Sequence, residues 1–409
     1  MRICLLCNRG NMYCGGQGVY LYYLSRELHR LGHEVHTIVG PPYPDVAPGV
    51  IEHRVHNMNL VEYGFPLQDQ MQVLTPLNLY ELASVRIGKF PEMFTFSFRA
   101  FNKLRQLMKQ HRFDIIHDNQ TLGYGNLLMK SFGVPVVATI HHPLPIDRKS
   151  DLPYIDGVEA KIRRILFYPM VMQHLAAWGM DRIITVSEDA AGEIHNSFKV
   201  PYRKIRVVYN GVDADKFRIA GGNGAGKERG RLIVVANTRD RKKGVLYLLR
   251  AVRLLRRELD VKLTVVDQGL PDNEYTPLLA QRLGLDGCVE FTGRVSTEEL
   301  VKHYTRAEVA VVPSLYEGFG FPAAEAMACG VPVVSTTAGA LPEVVGDDNC
   351  GILVPPRDPA AIAVAVRRLL ADDGLRREMG ERGRARVEQM FSWRGAAEKM
   401  LEVYREVIG

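Results

Sequence analysis

The sequence predicts two doubly wound α/β domains, and three observations carry that expectation: the length, an alternation of apolar runs with amphipathic segments, and a glycine-rich interruption near the middle. At 409 residues the chain exceeds the roughly 250–300 residues beyond which one hydrophobic core stops growing. Runs rich in β-branched residues recur in order: RICLLC, EVHTIV, FDIIH, VPVVATI and DRIITVS, then RLIVVAN, VKLTVVD, CVEFTG, EVAVVPS, VPVVST and GILVP. Most are nearly continuous in apolar residues, which marks strands buried on both faces and therefore parallel sheets covered by helices. The stretch IAGGNGAGKERG, residues 219–230, holds five glycines in twelve positions and marks a seam between residues 200 and 230. After GILVP the pattern is helical to the end, and KMLEVYREVI is a helix free to return to the first domain.

Composition excludes several classes. Apolar residues are 46% and charged residues 24%, which rules out a disordered, collagen-like or disulfide-stapled chain. A net charge of +6 from 52 basic and 46 acidic residues is too small and too mixed to indicate a nucleic-acid partner. The opening MRICLLCNRG breaks at Asn8 and Arg9, too short for a signal-peptide core or a membrane span, so a cytoplasmic location is expected. The cysteines (Cys4, Cys7, Cys14, Cys288, Cys329, Cys350) are few and scattered, as in a reducing compartment. Cys4 and Cys7 form a C-x-x-C, but residues three apart on a strand face opposite sides and cannot grip one metal. No metal site is expected, and no cofactor. Gly221 to Lys227 spells the start of a phosphate-binding loop, yet Glu228 stands where a Ser or Thr is required and no buried strand precedes it, so a surface loop is the expectation.

Four stretches carry chemistry. GGQG, residues 15–18, follows the first strand and precedes the helix VYLYYLSRELHRLG, so Gly15 and Gly16 let the backbone approach an anion at a helix N-terminus; the plain alternative is a tight turn. His141 ends VPVVATI, at the strand edge where open α/β sheets bind ligands, whereas His117 has weaker support and His142 is expected to point elsewhere. RKKG, residues 241–244, places Lys243 between a strand and the helix GVLYLLRAVRLL, in a basic loop with Arg239, Arg241 and Lys242. PSLYEGFGFPAAEAMACGVPVV, residues 313–334, runs from a strand through a glycine-rich turn into a helix and the next strand. There Pro322 suits the first helical turn, and the free N–H groups near Gly320 and Phe321 suit an oxyanion or hydroxyl. Glu317 in the loop and Glu325 on the helix, eight residues apart, set two acceptors along one elongated ligand.

EGFGFPAAE resembles the Glu-x₇-Glu motif of the retaining glycosyltransferases of family 4, and GGQG, TIHH (139–142), TVSEDA (185–190), YNGVDADKF (209–217), RKKG and GALPEVV (339–345) agree in order, over essentially the whole chain. The resemblance implies the GT-B fold, two Rossmann-like domains facing across a deep cleft. Residues 1–205 would form the acceptor side, 206–390 the nucleotide-sugar side, and 391–409 a helix packing back on the first domain. It implies that Glu325 binds ribose hydroxyls, Glu317 the hydroxyls of the transferred sugar, Lys243 the diphosphate and His141 the sugar. Gly15 and Gly16 would lie beside the donor phosphates, with Arg239, Val295, Gly318, Phe319, Gly320 and Phe321 completing the donor pocket. Two positions depart from the family pattern: Thr238 stands where an arginine is usual, leaving Arg239 or Arg241 to replace it, and VVDQG (265–269) stands where Gly-Asp-Gly is usual.

The implied reaction moves a sugar from a nucleotide-diphosphate donor, UDP-linked first and GDP-mannose second, to a hydroxyl of a small-molecule, glycan or lipid-linked acceptor. It retains the anomeric configuration through a front-face substitution without metal, the departing phosphate helping to deprotonate the acceptor. Two rival readings remain: a sugar-nucleotide epimerase of the same fold, and a catalytically weak nucleotide-sugar-binding subunit, motivated by Thr238.

The charge is uneven. Residues 82–112 contain Arg86, Lys89, Arg99, Lys103, Arg105, Lys109 and Arg112 against Glu92, with Phe90, Phe94, Phe96, Phe98 and Phe101 interleaved. This is either a surface for an anionic membrane, placing the protein on its inner face, or a routine helix turning Phe98, Phe101, Leu104 and Met108 to the core.

Overall fold

The structure is a computed structural model that describes residues 1–10, 16–58, 60, 75–146, 152, 155, 157–167, 169–218, 226–267, 275–346 and 350–409. The chain divides into two units, Met1–Val208 with Ala396–Gly409, and Tyr209–Gly395.

The first unit is built on β1 (Arg2–Cys7), β2 (Glu34–Val39), β3 (Ile51–Arg54), β4 (Ile115–Asn119), β5 (Val136–Ile140), β6 (Arg182–Thr185) and β7 (Ile205–Val207). They form one parallel sheet in the order β3-β2-β1-β4-β5-β6-β7. The winding reverses between β1 and β4, and the crevice at the C-terminal ends of such a pair is where ligands bind. Strands β1, β4 and β5 are buried almost throughout, as their continuous apolar runs require. The sequence reading missed β3 and β7. IEHR is largely polar and IRV is only three residues with an arginine at its centre, as suits the two edges of a sheet, and so neither gives an apolar run to read.

The helix Glu92–Leu107 decides the basic segment. It buries Phe96, Ala100, Leu104 and Leu107, at helical spacing, and packs Phe101 and Met108 against the same core. Arg99 is spent on an ion pair with buried Glu81. The apolar face turns inward, as the routine-helix alternative for residues 82–112 requires: Leu104 is fully buried, worth about 1.5–3 kcal/mol to the fold. Among the described residues no helix is long and apolar enough to cross a membrane.

The helix Trp393–Ile408 is held to the first sheet by Tyr404, whose hydroxyl lies 2.6 Å from His117 Nδ1 on β4. Glu406 adds ion pairs to Arg182 and Arg206. His117 Nε2 lies 2.7 Å from Thr139 Oγ1, which lies 2.9 Å from the Tyr20 hydroxyl, so four buried polar groups close on one another. Burial pushes the imidazole of His117 down to about 3, so it is neutral and serves as a joint.

The second unit carries β8 (Arg231–Ala236), β9 (Lys262–Asp267), β10 (Val289–Phe291), β11 (Val309–Val312), β12 (Val333–Thr336) and β13 (Gly351–Val354). Their parallel order is β10-β9-β8-β11-β12-β13, with the reversal between β8 and β11. Residues 219–225 of the glycine-rich seam lie outside the described residues. Lys227, which ends the phosphate-loop look-alike, donates to the Ala307 carbonyl at 2.7 Å.

Candidate active site

In the second unit the loops that leave β8 and β11 meet. The Leu315 N–H donates to the Lys242 carbonyl at 2.6 Å, and Gly244 passes so near Pro313 that a Cβ there would sit 1.9 Å from its carbonyl oxygen. Gly244 also has φ 64°, so it alone suits the step from the turn Arg241–Lys243 into the helix Val245–Leu255. Asp240 caps the turn, accepting from the Lys242 N–H at 2.9 Å.

This stitching delivers Lys243 to Glu317. The ammonium lies 2.8 Å and 2.9 Å from the two carboxylate oxygens, and Ser314 Oγ donates to the first at 2.8 Å. Glu317 is buried, 8% exposed, and Lys243 is half-buried. A cation and a carboxylate thus share one point at the C-terminal edge of the sheet, the edge where open α/β sheets bind ligands.

Gly320, with φ 100°, caps the helix Phe321–Ala328, and Pro322 occupies its first turn. Glu325 projects from that helix half-buried, its Oε2 3.3 Å from the Tyr304 hydroxyl, which also donates to the Pro322 carbonyl at 3.2 Å. Burial pushes the Glu325 carboxyl up to about 7, so near neutrality it exchanges between acid and carboxylate. Phe319 is buried between Phe321 and Phe391, ring centroids 5.2 Å and 5.5 Å away, which fixes the turn that carries Gly318. Val295 is half-buried in the loop between β10 and the helix Thr297–Arg306.

The two departures from the family pattern meet each other. Thr238 donates its hydroxyl and its N–H to the two oxygens of Asp267, the residue that ends β9. A neutral–acidic pair therefore occupies the place where an arginine and a glycine would stand. The side chain of Arg239 is exposed, its N–H held by Asn237 Oδ1 at 3.1 Å, and Arg241 is exposed beside it. Arg239 thus stands one residue past the pair, its side chain turned to solvent.

In the first unit Gly16 caps the helix Gln17–Arg30 with φ 71°, while Gly15 lies outside the described residues. His141 follows β5. Its Nε2 lies 2.7 Å from Asn119 Oδ1 and its N–H donates to Gln120 Oε1 at 2.7 Å. Nε2 therefore carries the proton and Nδ1 a lone pair. Burial, then the neighbouring imidazoles of His142 and His117, pushes His141 down to about 3. Neutral at physiological pH, it offers hydrogen bonds rather than a proton. Asn119 and Gln120, the two residues that hold His141, were passed over in the sequence reading. Gln120 holds φ 60°, an uncommon strain for a side-chain-bearing residue, and also donates to the His142 carbonyl at 3.2 Å. The signal was available: HDNQ is a polar run closing a buried strand at its ligand edge.

Residues 14–216 match the family described as Glycosyltransferase Family 4, and residues 221–386 the one described as Glycosyl transferases group 1. Over 100% of its length the chain is 39% identical to the MMP alpha-(1->4)-mannosyltransferase of Mycolicibacterium hassiacum, covering 98% of that protein. It is 34% identical over 72% of its length to a D-inositol 3-phosphate glycosyltransferase of Corynebacterium jeikeium, covering 73% of that protein. Among solved structures, sucrose-phosphate synthase of Thermosynechococcus elongatus aligns over 99% of this chain and 98% of that one, at TM-score 0.75 and 23% identity. HepE of Anabaena, in complex with UDP and glucose, aligns over 99% of both chains at TM-score 0.71 and 17% identity. At those identities the structural likeness speaks for the fold.

Proposed function

The chain belongs to the family 4 glycosyltransferases and has the GT-B fold, and on that premise we propose that it moves a mannosyl unit from GDP-mannose to a glycan hydroxyl, retaining the anomeric configuration. Transfer from a nucleotide-sugar donor is the activity of the family; the sugar, base and stereochemistry are the proposal. A relative matched over the full length is named an alpha-mannosyltransferase, which supports putting mannose ahead of the UDP-linked sugars that the sequence reading ranked first. An α product from an α-linked donor is retention.

The observation that carries the reading is the Lys243–Glu317 pair at the reversal of the second sheet. As the bond between sugar and phosphate breaks, negative charge grows on the diphosphate, and a fixed cation there lowers the barrier. Lys243 supplies it, preorganised by Glu317. Glu317 keeps lone pairs for sugar hydroxyls, and Glu325 accepts from the ribose. His141, proton on Nε2, presents Nδ1 as an acceptor. The departing phosphate takes the acceptor proton, so no side chain acts as base and no metal is required.

The test is product analysis with GDP-mannose, UDP-glucose and a panel of mannosides, with chelator present. Acceptor-dependent GDP release with an α-mannoside product supports the reading. Isomerised donor without acceptor would turn it to an epimerase, and donor binding without turnover on any acceptor to a binding subunit. A second reading, a UDP-linked donor with a phosphorylated polyol acceptor, has the inositol-phosphate relative in its favour and is decided by adding D-inositol 3-phosphate to the acceptors: transfer to it from UDP-glucose and none to the mannosides from GDP-mannose would favour it.

A further inference from the structure

We propose that Glu34, His36 and His111 form a binding site for one divalent cation of the zinc class, at the edge of the first sheet where its strands begin. Alternation along β2 puts residues 34 and 36 on one face, and the segment entering β4 brings His111 against them. One ligand atom from each lies within 4.8 Å of the others. His36 is fully buried, its Nε2 2.9 Å from Glu34 Oε1. The His111 ring centroid is 4.8 Å from that of His36. A carboxylate and two imidazoles are a zinc donor set, with a fourth position left for water.

The surroundings match what metal ligands need from their neighbours. His36 Nδ1 lies 3.0 Å from His53 Nε2 on β3, and Arg2 donates to both Glu34 oxygens, at 2.7 Å and 2.8 Å. A ligating imidazole whose second nitrogen donates to a fixed partner, and a carboxylate that is itself hydrogen-bonded, are the usual arrangement behind a metal ligand. Binding at His36 Nε2 moves its proton to Nδ1, which then donates to His53 Nε2, and the proton of His53 moves to its own Nδ1. Proton number is conserved. Arg2 is the opposing cation and tempers the affinity. To coordinate, the ligand atoms draw in to about 2.0–2.2 Å from the ion.

This edge is opposite to the one that carries His141, so the ion would tie strand starts together rather than take part in transfer. The sequence reading expected no metal ligands because these residues are scattered across nearly eighty positions. The experiment titrates the chelator-treated full chain with zinc by calorimetry, follows cobalt by its tetrahedral visible bands, and reads thermal shift, using wild type, Glu34→Gln, His111→Ala and His36→Asn. The expected result is one ion per chain, a raised melting temperature, and affinity lower by about tenfold or more in Glu34→Gln and His111→Ala, which sit near the surface and keep the fold even if His36→Asn does not. Transfer activity, if present, is unmoved by chelation. No saturable uptake, or uptake unchanged in both Glu34→Gln and His111→Ala, overturns the proposal.

Discussion

Lys243→Ala tests the centre of the site. The ammonium sits 2.8 Å and 2.9 Å from the Glu317 oxygens, and Glu317 is 8% exposed. At an effective dielectric of about 20, unit charges at that separation attract by about 6 kcal/mol. Desolvation of both groups cancels most of it, leaving about 1–3 kcal/mol. Truncation leaves a buried carboxylate with Ser314 as its one side-chain donor among the described residues. A loss of about 2 kcal/mol lowers the melting temperature of a domain this size by about 4–8 °C. Removing the charge from the breaking bond costs about 10²–10³ in kcat. Differential scanning fluorimetry reads the first effect and GDP release at saturating acceptor the second. Lys243→Arg keeps the charge but not the single-point geometry and rescues only part of the rate. A Lys243→Ala variant within threefold of wild type in kcat/KM, whatever its melting temperature, would refute the reasoning and make the pair a structural tie.

Three further outcomes are expected. Glu325 has a folded value of about 7 against an ordinary 4.5, so the folded protein binds the extra proton between those values and stability falls as pH rises across that window, by at most about 1.4 kcal/mol per pH unit. Glu325→Gln removes that slope from urea melts, while in wild type donor affinity rises through pH 7 as the carboxylate forms; parallel stability profiles in the two proteins would remove Glu325 from the account. Thr238→Val strips Asp267 of a hydroxyl donor and raises donor KM about tenfold with kcat within about threefold, because the pair shapes the donor loop without touching reacting atoms; unchanged KM would place that loop outside the pocket. Tyr404→Phe leaves His117 Nδ1 short of a buried partner and lowers stability by about 1–3 kcal/mol with kcat unchanged, measured by chemical denaturation beside the rate assay; a fall in kcat at full stability would assign His117 a part in the chemistry.

The fold class was legible because parallel strands buried on both faces leave apolar runs that need no context, and β1, β4, β5, β8, β9 and β11 each left one. The edge strands β3 and β7 left none. Glu317 and Lys243 were each visible in a motif, but their contact spans 74 positions and depends on the Leu315–Lys242 hydrogen bond, which no local pattern encodes. Thr238 and Asp267 were each visible as departures; that one answers the other, across 29 positions, needed the register of β8 and β9. The basic segment left two readings open because summed charge says nothing of partners, and Arg99 has one in Glu81, which lies outside the segment. Asn119 and Gln120 were overlooked because a residue that orients another carries no catalytic signature of its own.

The most direct test of the account is the anomeric configuration of the product formed from GDP-mannose and a mannoside acceptor with chelator present, read by the one-bond carbon–proton coupling at the new linkage. An α-mannoside formed at an undiminished rate is the result expected. A β-linked product, or transfer that appears only when a divalent metal is restored, would contradict it.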